Sequence, residues 1–223
     1  MIMLANVLVK NFLAGGPVMW PILVTAIVAV AVLGERVFWW WRESTRREPE
    51  KLEKLFAAIE NGDFRQASEV SKGSTDPILR MLWHGMNHFH SSLQGALAVA
   101  AGVEIQKAGR FLTVMDTLVT LGPLLGLLGT VSGIFRTFIS LGDATVEGAT
   151  GQITGGIGEA LIATMCGLAI AIFALIPYNY FTRKLAQLEF ELQSAATNVE
   201  VMVNSAKQKG FDTMEFRREA PRE

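Results

Sequence analysis

The stretch ITGGIGEALIATMCGLAIAIFALI, residues 153–176, holds one acidic or basic side chain, Glu159, among apolar and small neighbours. A charged residue at the centre of a membrane helix costs roughly 2.5–3.5 kcal/mol on insertion scales, and such residues face a bundle interior or a water-filled path. A carboxyl group in apolar surroundings gives up its proton less readily than in water, which brings proton exchange toward neutral pH. Two readings of Glu159 are open: a structural hydrogen-bond anchor, or an ion site that takes and releases a proton. Thr164 and Thr130 are the hydroxyls within reach of either role. Thr164 is five residues on, about 140° round a helix, so it lies off Glu159's own face but can line a path shared between several copies. Thr130 borders a row of glycines in a second apolar segment and can bond a carboxylate or order water. Either threonine can instead bond back to its own helix.

Other chemistry is sparse. His84 and His88 stand four apart with His90 nearby, a spacing that can hold a metal, but no acid or cysteine beside them completes a set, so no metal site is expected. No phosphate-binding glycine loop, serine–histidine arrangement or HExxH motif occurs in the apolar segments, so the chain reads as no enzyme and needs no cofactor. A net charge of −1 leaves no basic footprint for nucleic acid. Cys166 is the single cysteine, which excludes an internal disulfide.

The elements that position Glu159 belong to a membrane. Half of the 223 residues are hydrophobic, and crossing the hydrocarbon takes roughly 20 apolar residues at helical rise. Residues 17–41, 111–141 and 153–181 qualify as spans. Trp20 and the FWWWRE run bracket the first as interfacial anchors. Residues 1–16 lack a basic start and a clear cleavage site; they read as an amphipathic helix on the outer interface rather than a signal peptide. Basic residues crowd residues 42–110 and 182–223, whereas the start has Lys10 alone and residues 142–152 have none. The positive-inside rule then places the amino terminus outside, residues 142–152 as an outer loop, and the carboxyl terminus in the cytoplasm. Counted upward from Arg183, Glu159 falls in the outer half of the bilayer, and Arg136 reads as a side chain snorkelling to the outer interface. Glu35 and Arg36 near the inner end of the first span read as a snorkelling or paired couple.

In the cytoplasmic part, two short amphipathic helices end at Asn61-Gly62 and at Gly73, and Pro77 opens a third after Asp76 as its cap. From about residue 93 the helical pattern runs through Arg110 into the second span without a clear stop, predicting one long helix. After residue 181, Leu185, Leu188, Leu192, Ala195, Val199, Met202 and Ala206 recur three and four apart, a seam for packing against other cytoplasmic helices. The fold class is all-α: three transmembrane helices, two of them extended into long cytoplasmic helices. In the second span Gly122, Gly126, Gly129 and Gly133 form one stripe; in the third, Gly156, Ala160, Ala163, Gly167, Ala171 and Ala174 form another. Such stripes let helix backbones approach closely.

LGPLLGLLGTVSGIFRTF followed by GGIGEALIATMCGLAIAIFALIPYNYF resembles the signature of the MotA/TolQ/ExbB proton-channel family, on its ExbB and TolQ side, and GPVMWPIL fits the start of ExbB-like members. The resemblance implies a homo-oligomer, a pentamer, whose second and third spans line a pore in the bacterial inner membrane. It implies a partner of the ExbD/TolR type whose single transmembrane helix sits in that pore and carries a protonatable aspartate, and a TonB-like protein that receives the work. By motif position, Glu159 matches the pore carboxylate, Thr164 the threonine ending that motif and Thr130 the threonine of GTVxGI, with protons as the coupling ion. TonB-dependent import is favoured over Tol-type envelope maintenance by the GGPVMWPIL start and the compact outer loop, and a four-span flagellar stator fits less well. Phe173 stands where the family often has proline, so any kink tied to that proline is in doubt here. A non-conducting membrane scaffold built by the small-residue stripes is the competing reading.

Overall fold

A computed structural model describes residues 12–87, 92–141 and 146–208. Among them, every element of eight residues or longer is an α-helix: α1 (Met19–Ser44), α2 (Pro49–Glu60), α3 (Phe64–Ser71), α4 (Pro77–Asn87), α5 (Leu93–Ala108), α6 (Leu112–Leu141) and α7 (Val146–Gln208). Three of them, α1, α6 and α7, are long and apolar enough to cross a membrane. Residues 1–11, most of the expected amphipathic helix, lie outside the described residues, as do His88, His90, residues 142–145 and the end of the tail.

Local chemistry sets the short helices. Proline occupies the first turn of α2, where its missing N–H removes no bond. Gly62 (φ 77°) and Gly73 (φ 70°) take the left-handed conformation that ends α2 and α3. Asp63 caps α3 by accepting the Gln66 N–H at 2.9 Å, and Asp76 caps α4 by accepting the Ile78 N–H at 2.8 Å.

The continuous helix expected across residues 93–141 is not formed. After α5 the Gly109 N–H still bonds to the Ile105 carbonyl at 2.8 Å, but Phe111 adopts φ 64° and α6 starts afresh at Leu112. Positive φ is rare for a bulky residue because its Cβ meets the backbone. Here the Phe111 ring stacks under the Arg36 guanidinium, 5.6 Å from the ring centroid. Arg36 is wholly buried and its Nε donates to Glu35 Oε2 at 2.5 Å, so the couple is paired and Arg36 does not snorkel. The expected outer loop is also shorter, since α7 begins at Val146: residues 146–152 contain no proline to stop a helix.

The chain divides into two compact units, one comprising Met1–Val37 and Phe111–Phe181, the other Phe38–Arg110 and Thr182–Glu223. In the second unit the apolar faces of α2 to α5 close around the seam of α7. Leu188, Leu192, Ala195, Val199 and Ala206 are buried there with Leu55, Ile59, Phe64, Leu79, Leu82 and Leu97, while Leu185 and Met202 pack at the margin. A charged network ties the same unit together. Arg80 Nη2 donates to Glu104 Oε2 at 2.5 Å and to Glu43 Oε1 at 3.1 Å, and Lys107 Nζ donates to Glu104 Oε1 at 2.9 Å. Burial pushes the Glu104 carboxyl up, but the bonds from Arg80 and Lys107 outweigh it and hold the group below the usual carboxylate range. Asp76 also accepts the Glu48 N–H at 2.9 Å, and Arg47 pairs with Glu191 at 2.5 Å.

The first unit inverts the size order of a soluble core. Along α7 the buried positions are small, Ala160, Ala163, Ala171 and Ala174, while Leu124, Phe135, Phe138, Leu161 and Met165 point outward; larger side chains are buried where α1 and the start of α6 pack, at Met19, Ile22, Met115 and Leu118. Lipid is as apolar as leucine, so helices in a bilayer gain most by bringing backbones together and leaving large side chains to the surroundings.

Candidate functional site

The site is built on the seam between α6 and α7, which run antiparallel. A Cβ on Gly122 would stand 2.7 Å from the Gly167 carbonyl oxygen and 3.2 Å from the Ala171 Cβ. One on Gly126 would stand 3.0 Å from the Thr164 Cα, one on Gly133 3.0 Å from the Ala160 Cβ, and one on Gly129 would run into the Ala163 Cβ. A Cβ on Gly167 would in turn collide with the Gly122 carbonyl. Both stripes therefore meet each other, and at the Gly122–Gly167 crossing the neighbour is backbone, which cannot rotate away.

Thr164 bridges this seam. Its hydroxyl donates to the Gly126 carbonyl oxygen at 3.0 Å and to the Ala160 carbonyl at 3.3 Å, so it ties α7 to α6 while also bonding its own helix. Thr130 does not reach a carboxylate: its hydroxyl donates to the Leu127 carbonyl of α6 at 2.7 Å. The two threonines and Glu159 are thus not brought together as one polar cluster. Glu159 has another partner.

Arg136 of α6 donates through Nη2 to Glu159 Oε1. Its guanidinium does not run on to an interface as a lone snorkelling group; it is held by the acid across the seam. The Arg136 side chain is 44% exposed and that of Glu159 25%. Gly16 packs against the pair with φ 73°, and a Cβ there would collide with Glu159 Oε1 and lie 2.8 Å from Arg136 Nη2. The sequence held a partial signal for this pairing, an arginine and an acid each placed in an apolar segment on either side of the 142–152 stretch. Gly16 had no signal beyond being one of a glycine pair. Chemically, the arrangement is a carboxylate with one oxygen engaged by a guanidinium and a quarter of its surface open. It can exchange a proton or ion only where that surface meets water.

Known proteins carry the same segments. Residues 74–194 match the MotA/TolQ/ExbB proton channel family, a range that takes in all of α6 and the Glu159 region of α7. The ExbB-like 1 protein of Synechocystis sp. is 35% identical over 178 residues, 77% of this chain and 69% of its own length. ExbB-like 3 of the same organism is 34% identical over 187 residues, 81% of this chain and 87% of its own. The biopolymer transport protein ExbB of Neisseria gonorrhoeae is 33% identical over 96 residues, 43% of each chain. A glycine seam, an acid set into it and this extent of matching sequence lead to one conclusion: the chain is a membrane protein that belongs to the MotA/TolQ/ExbB proton channel family, with its likeness to the ExbB members.

Proposed function

We propose that the chain is the proton-pathway subunit of an inner-membrane motor that uses proton-motive force to energise import across the outer membrane. The carrying observation is the placement of Glu159, the one acid in the apolar stretch of α7, three-quarters covered yet open on one side. Membership of a proton channel family and the ExbB-named relatives support the same reading. In it, several copies, five by resemblance, ring a pore lined by α6 and α7. The pore holds an ExbD/TolR-like single-span protein, a TonB-like protein receives the work, and membrane lipid covers outward side chains such as Leu124 and Phe138. The amino terminus is periplasmic and the carboxyl terminus cytoplasmic, following the basic residues.

The test is co-reconstitution with the single-span partner in proteoliposomes energised by an imposed pH gradient together with a membrane potential. Wild-type complex should pass protons, and Glu159→Gln should assemble normally but lose the flux. Equal flux in that variant rejects a protonation role for Glu159. Silence of the wild type under every condition supports the scaffold reading, which the close backbone seam and the self-bonded Thr130 favour. Rescue of a Tol-deficient rather than a TonB-energising-deficient strain would move the assignment to envelope maintenance.

A further inference from the structure

The ion pair across the seam has a role of its own, one that rests on the proton-pathway reading. Oε1 of Glu159, one of the two oxygens that can take a proton, accepts the Arg136 Nη2–H. The hydroxyls of Thr130 and Thr164 donate to backbone carbonyls, so neither of them donates to the carboxylate. Residues 12–18 beside the pair carry no acidic or basic side chain, so they bring no competing charge, and Gly16 backs the carboxylate so closely that no side chain fits there. The two partners are unequal. Glu159 is three-quarters covered, whereas nearly half of the Arg136 side chain is exposed on a long flexible stem. The guanidinium can therefore leave without moving a helix, and the carboxylate cannot.

We propose that Arg136 is a positioning residue that keeps the pathway shut at rest. While its guanidinium holds Glu159, Oε1 accepts no proton and the acid is fixed in one orientation, so a proton taken on Oε2 cannot be handed on by turning the carboxyl. When the guanidinium swings to the exposed side, a proton passes from water on one side to the carboxylate oxygen and later leaves to water on the other. Gly16 keeps the acid in reach of the latch because it adds no Cβ to the space that Oε1 occupies.

The experiment measures proton leak through the complex reconstituted with its single-span partner, in a pH gradient without membrane potential. Arg136→Gln should raise this resting leak about threefold or more, the factor expected for losing a partly exposed ion pair. Arg136→Lys should stay near wild type, because an ammonium keeps the charge. Gly16→Ala, which pushes on the carboxylate from another element, should leak as Arg136→Gln does. The double variant Arg136→Gln/Glu159→Gln should be tight again, since a merely loosened bundle would leak regardless of the acid. Size-exclusion profiles identify any variant that fails to assemble, and the lysine and Gly16 variants then decide the matter. A wild-type level of leak in Arg136→Gln and Gly16→Ala, or a leak that survives loss of the acid, overturns the latch while leaving the proton-pathway reading intact. A wild-type complex that never conducts, even when energised, overturns both.

Discussion

The Thr164 hydroxyl on α7 donates to the Gly126 carbonyl oxygen on α6 across 3.0 Å, inside a contact otherwise made of glycine and alanine. A net hydrogen bond of this kind contributes about 1 kcal/mol. Thr164→Val keeps the shape and removes the donor, so it should lower stability by about that amount, whereas Thr164→Ser should retain most of it. Unfolding of the two variants in the same detergent or bilayer checks this. Equal stability of valine and serine would mean the bond is worth nothing there.

Glycines on the seam and off it should respond in opposite directions. Gly122→Ala drives a methyl toward the Gly167 carbonyl, and overpacking of this type costs about 1–3 kcal/mol. Gly102 on α5 has nothing within 4 Å of an added Cβ, so Gly102→Ala should stabilise by about 0.8–1 kcal/mol through helix propensity alone. Thermal midpoints of the two variants, measured side by side, should fall on opposite sides of wild type.

Glu104 makes stability depend on acid. Its carboxyl is held below the ordinary value of 4.5 in the fold, so its contribution is complete above that pH and fades as the pH falls through the folded value. Glu104→Gln should flatten this loss on the acid side. At neutral pH it should cost about 1–2 kcal/mol, because Arg80 and Lys107 lose a common charged partner while Arg80 keeps Glu43 and Lys107 stays half exposed. Unfolding midpoints at pH 7 and pH 4 for wild type and variant test both parts.

Gly73 isolates a backbone term. It sits at φ 70° with open space around it, so Gly73→Ala meets no neighbour and pays only for the left-handed conformation, about 1 kcal/mol. A neutral result would show that the turn relaxes to another geometry.

Much of the helical pattern was legible in the sequence, for reasons that are local. Asn61-Gly62, Gly73 and Asp76-Pro77 announce their turns because each carries a φ or capping preference in its own side chain. The seam of Leu188, Leu192, Ala195 and Val199 was legible because it repeats. The break at Phe111 was not, since no proline or glycine stands at the residue with positive φ and the ring is held by Arg36, distant in sequence. The type of a side chain does not reveal the partner of Glu159. Thr130 carries a suitable hydroxyl and lies in a recognisable motif, but it is bonded to its own helix, and Arg136, about 1.7 turns further along α6, makes the contact. Register between two helices decides such pairings, and register is a property of neither helix alone. The Arg80–Glu104–Glu43 network is invisible in the sequence for the same reason, its members coming from three separate helices.

The smoothness of the α6–α7 interface has a mechanical consequence. Interlocking leucines would fix the axial position of one helix against the other by steric teeth, but glycine and alanine present almost none. Among the described residues, alignment along that axis is helped by directional contacts, including one hydroxyl-to-carbonyl and one guanidinium-to-carboxylate. Untying the second removes one of these catches from a surface that offers little else to grip, so the Gly133 end of the seam depends on a single electrostatic contact for its axial setting.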